Sequence, residues 1–218
     1  MRTAFVLSCG FALTLLGAAT LRVERPVAGS NSMRSFGPDR MAELELELWR
    51  AYYSKQRLRL FARLVTLLHE QYDTGWDRAM RAAFHLARAA SAFAEARSSY
   101  ERFLPDLEQG YALLRPAGDP GALARAEIAW WVARRDPQHS SPEQVGALIA
   151  KLYSILYDAP QPMLRDAGLL RARAAALRDE GGVHADWPEI GELLRASYRS
   201  LHAALNGAAP EETAGHDS

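Results

Sequence analysis

MAELELELWRAYY, residues 41–53, alternates Leu44, Leu46 and Leu48 with Glu43, Glu45 and Glu47. Strict alternation is the mark of a half-buried strand, whose side chains point to opposite faces in turn. Residue type argues the other way, because Met, Ala, Leu and Glu are strong helix formers and Glu is depleted from strands. Wound as a helix, Leu44, Leu48, Tyr52, Leu58, Phe61, Val65, Leu68 and Tyr72 follow one broad face, with a polar gap at Lys55-Gln56. The stretch therefore reads as one helix from about Arg40 to Asp73, bent near Ser54. No segment combines β-branched enrichment with hairpin signals, so the expected fold is all-α.

The following helices are set by their punctuation. Thr74 can cap a helix in which Asp77 completes an acidic capping box. On it Trp76, Met80, Ala83, Ala87, Ala90, Ala94 and Arg97 form the expected inward stripe, flat because it is rich in alanine, and Arg78, Arg81, His85 and Arg88 lie opposite. Pro105 breaks it, and a short segment continues to about Arg115. Asp119-Pro120 opens the next helix and Asp136-Pro137 ends it. Ser141-Pro142-Glu143-Gln144 is a capping box ahead of Val145, Leu148, Ile149, Leu152 and Leu156. Pro162 begins a fifth helix, with Met163, Ala167, Leu170, Ala174 and Leu177 inward, stopped by Gly181-Gly182. Asp186-Trp187-Pro188-Glu189 caps a sixth, with Ile190, Leu194, Tyr198, Leu201 and Leu205 inward and Gly207 as terminator. No pattern recurs at a fixed period, as a solenoid requires. The expectation is a single globular bundle of about six helices over residues 40–206.

Before the bundle, residues 4–21 are uncharged and apolar, at the low end of the roughly 17–25 residues that span a bilayer. Residues 1–21 read as a signal peptide, with Gly17-Ala18-Ala19 as a small-residue cleavage site, or as a membrane anchor. The competing reading is an extension ahead of a start at Met33 or Met41, which would leave the protein in the cytoplasm. Residues 22–39 read as a flexible linker, and residues 207–218 as a disordered acidic tail.

Composition narrows the function classes. The 218 residues are 49% apolar and 24% charged, with no net charge. A dedicated nucleic-acid binder would carry a basic excess, so nucleic acid is not an expected partner. Cys9 is the only cysteine, which excludes an internal disulfide and a cysteine-based zinc site. No Gly-x-Ser-x-Gly elbow, phosphate-cradling glycine loop, Glu-x-x-His pair or His-Glu-x-x-His run is present. The six histidines share no ligand-like spacing. No catalytic residue, metal ligand or cofactor is assigned.

One carboxylate stands out. In EIAWWVARRDP, residues 127–137, Glu127 has Leu123, Trp130 and Trp131 one helical turn to either side, on or beside the apolar face. A carboxylate there pairs with an arginine, most naturally from another helix, or has its pKa raised by desolvation. One of the two tryptophans is expected in the core and the other at an interface or a membrane surface. Basic residues outnumber acidic ones ten to five between Arg50 and Arg102, a balance suited either to a solvated face or to an anionic membrane surface.

The leading expectation is a non-enzymatic protein-interaction or scaffold protein of the cell envelope, with a protein partner and membrane contact through residues 4–21. The alternative is a bundle that holds a hydrophobic ligand or cofactor, with Glu127, Trp130, Trp131, Tyr52, Tyr53 and His85 as its contact residues.

Overall fold

A computed structural model describes residues 32–207; the leader 1–21, most of the stretch 22–39 and residues 208–218 lie outside the described residues. Among the described residues there are eight α-helices and no strand, two helices more than the punctuation suggested. They are α1 (Pro38–Tyr53), α2 (Arg57–Gln71), α3 (Trp76–Glu95), α4 (Leu104–Leu114), α5 (Pro120–Ala133), α6 (Pro142–Tyr157), α7 (Arg165–Gly181) and α8 (Trp187–Asn206). Short 3-10 turns precede α1, α4, α7 and α8.

The expected single helix over 40–73 is two. It breaks at Ser54-Lys55-Gln56, where Lys55 takes a left-handed φ of 58°, and α2 then runs back along α1. The break alters which residues face inward. Leu44, Leu68 and Tyr72 are buried as expected, but Tyr52 and Leu58 flank the turn and are exposed, Leu58 by 84%. The caps expected at Asp119, Ser141 and Asp186 form, each side chain accepting the backbone N–H three residues on. Thr74 does not cap α3. Gly75 holds the N-cap position, and the Thr74 hydroxyl is buried without a partner.

Each helix packs against those before and after it, and α8 packs against α1, so the eight helices close on themselves. Neighbours run antiparallel. The Ala117 N–H donates to the Leu156 carbonyl, Gln71 donates to the Tyr157 hydroxyl, and Asn206 donates to the Arg34 carbonyl. These bonds gather the starts of α1, α3, α5 and α7 and the ends of α2, α4, α6 and α8 at one end of the bundle. Residues 32–37, placed in the linker by sequence, instead join the core, with Met33 and Phe36 buried and Phe36 against Tyr157, Tyr198 and His202.

Packing, more than propensity, orients these helices. Enclosing a leucine or isoleucine contributes ~1.5–3 kcal/mol, against ~0.7 kcal/mol or less for propensity differences among ordinary residues. The face of α8 is buried as read, at Ile190, Leu194, Tyr198, Leu201 and Leu205, and that of α6 is buried at Val145, Ile149, Leu152 and Leu156 while Leu148 is half-buried. Between α6 and α7 the backbones nearly touch, because a Cβ on Gly168 would lie 2.3 Å from the Gly146 carbonyl oxygen. Met163, expected inward, sits in the 3-10 turn before α7 and is exposed.

Helix α3 is rotated from the expected stripe. Its buried face is Ala79, Ala82, Ala83, Ala89 and Phe93, whereas Trp76, Met80 and Phe84 are 57%, 50% and 45% exposed. The reason is clearance. Gly110 of α4 sits so close that a Cβ there would meet the Leu86 side chain at 2.7 Å. At that spacing the inner face of α3 admits alanine and excludes tryptophan.

Candidate functional site

The bundle interior is polar at its centre. Arg171 of α7 donates from Nε and Nη2 to Glu45 Oε1 of α1, at 2.9 and 2.6 Å. Burial alone would lower the Arg171 pKa, but the Glu45 carboxylate beside it holds it well above the ordinary arginine value. Around this pair stand Tyr153 of α6, Tyr198 of α8 and Tyr72 at the end of α2, all buried. Burial pushes the Tyr153 phenol up to about 12 and the Tyr72 and Tyr198 phenols well above their ordinary value. These hydroxyls are therefore neutral hydrogen-bonding groups and not bases. Gln71 donates to Tyr157 at 2.8 Å, and Ser197 donates to the Ala167 carbonyl at 2.8 Å.

Glu127 belongs to this interior, but not through the expected ion pair. Its Oε2 accepts from the Tyr111 hydroxyl of α4 at 2.9 Å, and no arginine reaches it in salt-bridge contact among the described residues. Burial raises the Glu127 pKa, while the Arg171 charge and the nearby tyrosine and indole donors pull it back down. Glu127 is half-buried, with protein atoms packed around its carboxylate. The indole N–H of Trp130 is close enough to favour the carboxylate, yet it stays outside hydrogen-bond geometry and has no partner. Glu45 Oε2 is the second buried polar atom left unpartnered beside Arg171.

The six candidate contact residues fall into three groups. Glu127, Trp130 and Trp131 do converge. The Arg171 guanidinium carbon lies 5.4 Å from the Trp130 ring centre, and Trp130 meets Trp131 edge-on at 6.2 Å. Of the two tryptophans, one of which the sequence places at an interface or a membrane surface, Trp130 is buried and Trp131 packs against Phe93 at 5.0 Å. It turns toward the small core formed by Ala89, Phe93, Phe103, Leu107 and Ala124. Tyr52 and Tyr53 are elsewhere, at the turn after α1. Tyr52 is 44% exposed, and the Tyr53 ring lies under Arg178 and against Trp187. His85 faces α4, where its Nδ1 is 3.3 Å from Asp106, a carboxylate also gripped by Arg88. The Arg88 bond holds the Asp106 carboxyl below the usual carboxylate range.

Sequence reasoning missed Glu45 and Arg171, although both meet the criterion that singled out Glu127. Each has apolar residues one turn before and after it: Met41, Leu48 and Trp49 for Glu45, and Ala167, Ala174 and Ala175 for Arg171.

Two depressions open on the bundle surface, and neither is lined by Glu127. One of about 360 Å³ lies between α5 and α6 over Ala126, Ala129, Leu148 and Lys151. The other, of about 160 Å³, lies among α5, α6 and α7 beside Arg134 and Asp179. Among the described residues no three His, Cys, Asp or Glu side chains converge as metal ligands would, and no helix is long and apolar enough to cross a membrane.

The outer surface offers a different kind of site. Trp76, Met80 and Phe84 recur every fourth residue along α3 and form one exposed apolar ridge. Trp76 is held in place by stacking on His69 at 3.9 Å, and His69 Nδ1 donates to the Thr74 carbonyl. Arg88 lies over the Phe84 ring at 5.4 Å. An aromatic and thioether ridge of this length on a helical surface marks a contact site far more often than scattered single residues do. No family model, no characterised protein and no solved structure matches this chain.

Proposed function

We propose that this protein is a non-enzymatic helical interaction protein whose working surface is the outer face of α3. The observation that carries this reading is the exposed ridge Trp76–Met80–Phe84, on a helix whose opposite face is closed by alanines. Tryptophan, methionine and phenylalanine are enriched at interface centres, and leaving three of them in water on one line opposes solubility unless a partner covers them. The buried polar interior supports the same division of labour, since its charges and hydroxyls tie helices to one another.

A photo-crosslinking side chain placed at Met80 in cells that make the full chain tests the reading. Protein adducts should form at Met80 and be absent at Arg173, an exposed position on α7. Equal adduct yields at both positions would defeat it. Envelope placement belongs to the same proposal and rests on residues 4–21. Fractionation should find the full chain with membranes and a chain begun at Met33, which keeps the core residues Met33 and Phe36, in the soluble fraction.

One observation favours the second reading, a ligand held around Glu127, Trp130 and Trp131. The buried Trp130 N–H has no acceptor, and such groups cost about 1–3 kcal/mol when left unmade. A native mass spectrum showing a bound organic molecule that is lost from Trp130→Phe would support it, and a mass equal to the bare chain would count against it.

A further inference from the structure

The ridge on α3 reads the same in both directions: aromatic Trp76, then Met80, then aromatic Phe84. At 3.6 residues per turn each four-residue step advances by about 40°, so the three side chains form one i±4 ridge.

Charge carries the argument further. Asp77 and Arg81 lie on the same flank of the ridge, one turn apart, and both are exposed. Neither has an ion-pair partner among the described residues, whereas Arg88 on that flank is already held by Asp106. When two helices pack antiparallel, like flanks face each other. A two-fold axis at Met80 then sets Trp76 opposite Phe84 of the second copy and Met80 opposite its equivalent. Asp77 comes within reach of Arg81 of the second copy, and the symmetry repeats the pair. The patch is thus self-complementary in residue order and in charge, as an isologous interface requires.

We propose that α3 pairs antiparallel with α3 of a second copy of this chain, about a two-fold axis at Met80. This names the partner of the ridge and rests on the interaction reading above. The contact is a single helix pair, so it belongs with small, weak interfaces and assembles with concentration.

Two charge reversals test it, with the full chain followed by sedimentation velocity over a range of concentrations. Asp77→Arg alone opposes arginine to arginine twice, and Arg81→Asp alone opposes carboxylate to carboxylate twice. Each should weaken self-association by about tenfold or more. Mixed in equal amounts, the two variants should associate as well as the unaltered chain, because every pair across the axis is then opposite in sign. Both positions are exposed, so folding should survive, which a thermal melt checks. Met80→Asp should abolish association without rescue by mixing. A chain that stays monomeric while Met80 crosslinks to some other protein would overturn the self-pairing and leave the interaction reading standing. Dimers indifferent to both reversals and to mixing would also overturn it.

Discussion

Glu45 and Arg171 stand 126 residues apart in the chain and bridge α1 to α7, with α8 lying between those helices in the order of packing. Every extensive helix contact in the bundle is between chain neighbours, apart from the α8–α1 closure. A closed set of neighbour contacts leaves the middle to be filled, and here it is filled by one guanidinium, two carboxylates and a shell of tyrosines. The brace therefore does for the centre what alanine and glycine do for the α3–α4 and α6–α7 contacts. It fixes how the helices sit across the bundle, where apolar packing between neighbours cannot reach.

Breaking one half of that brace should be costly. Arg171→Met leaves Glu45, itself only 3% exposed, as an uncompensated buried charge. The expected loss is about 3–5 kcal/mol of unfolding free energy, measured by urea denaturation. Replacing both, as Glu45→Leu with Arg171→Met, should recover much of it, because paired removal takes away the desolvation penalty together with the attraction. A loss below about 1 kcal/mol for Arg171→Met would mean that the guanidinium is not holding the centre.

The helical content was legible because caps and terminators are local chemistry. Asp119, Ser141 and Asp186 act on their own next turn and need no tertiary partner. The turn at 54–56 was less legible, since it has neither glycine nor proline and places Lys55 in a left-handed conformation by virtue of what α1 and α2 bury. The face of α3 was misread for a related reason. Hydrophobicity ranks tryptophan and methionine above alanine, but the distance to α2 and α4 decides what fits. Glu127 was visible as a carboxylate among apolar neighbours, yet its hydrogen-bond donor, Tyr111, comes from α4 and was beyond any spacing rule.

Glu127 should make stability fall as pH rises. Burial raises its folded pKa above the unfolded value, so between those two values the folded state binds more protons than the unfolded state. Stability then declines as pH rises through that interval, starting from the ordinary carboxylate range. Glu127→Gln removes the titration while keeping an acceptor for Tyr111. The variant should gain stability relative to the unaltered chain on going from the ordinary carboxylate range to neutral pH. A difference between the two proteins that is the same in that range and at neutral pH would show that Glu127 titrates as it would in the unfolded chain.

Gly168 tests the closest helix contact. A methyl at that position would sit 2.3 Å from the Gly146 carbonyl oxygen and 2.9 Å from the Ala150 nitrogen, both backbone atoms that cannot rotate away. Gly168→Ala gains helix propensity of roughly 1 kcal/mol. The two helices must separate to admit the methyl, and overpacking of this kind costs ~1–3 kcal/mol or more. Net destabilisation is expected, visible as a lower Tm. A rise in Tm would mean that α6 and α7 slide apart at no cost.

The two faces of α3 should respond in opposite ways to substitution. Ala82 is fully enclosed, and Gly110 of α4 packs close to its carbonyl. Ala82→Leu should lower unfolding free energy by about 1–3 kcal/mol through overpacking. Met80 is half exposed, and Met80→Ser should change the stability of the monomer by no more than about 0.5 kcal/mol, the range of ordinary surface positions. Both are read by denaturant titration at protein concentrations low enough to suppress any association. Had the large residues of α3 faced inward, the order would reverse: serine at Met80 would open a cavity and cost several kcal/mol, while leucine at Ala82 would sit in water and cost little. The sign of that difference decides which face of α3 is turned to the interior, and with it whether the ridge is free to meet a partner.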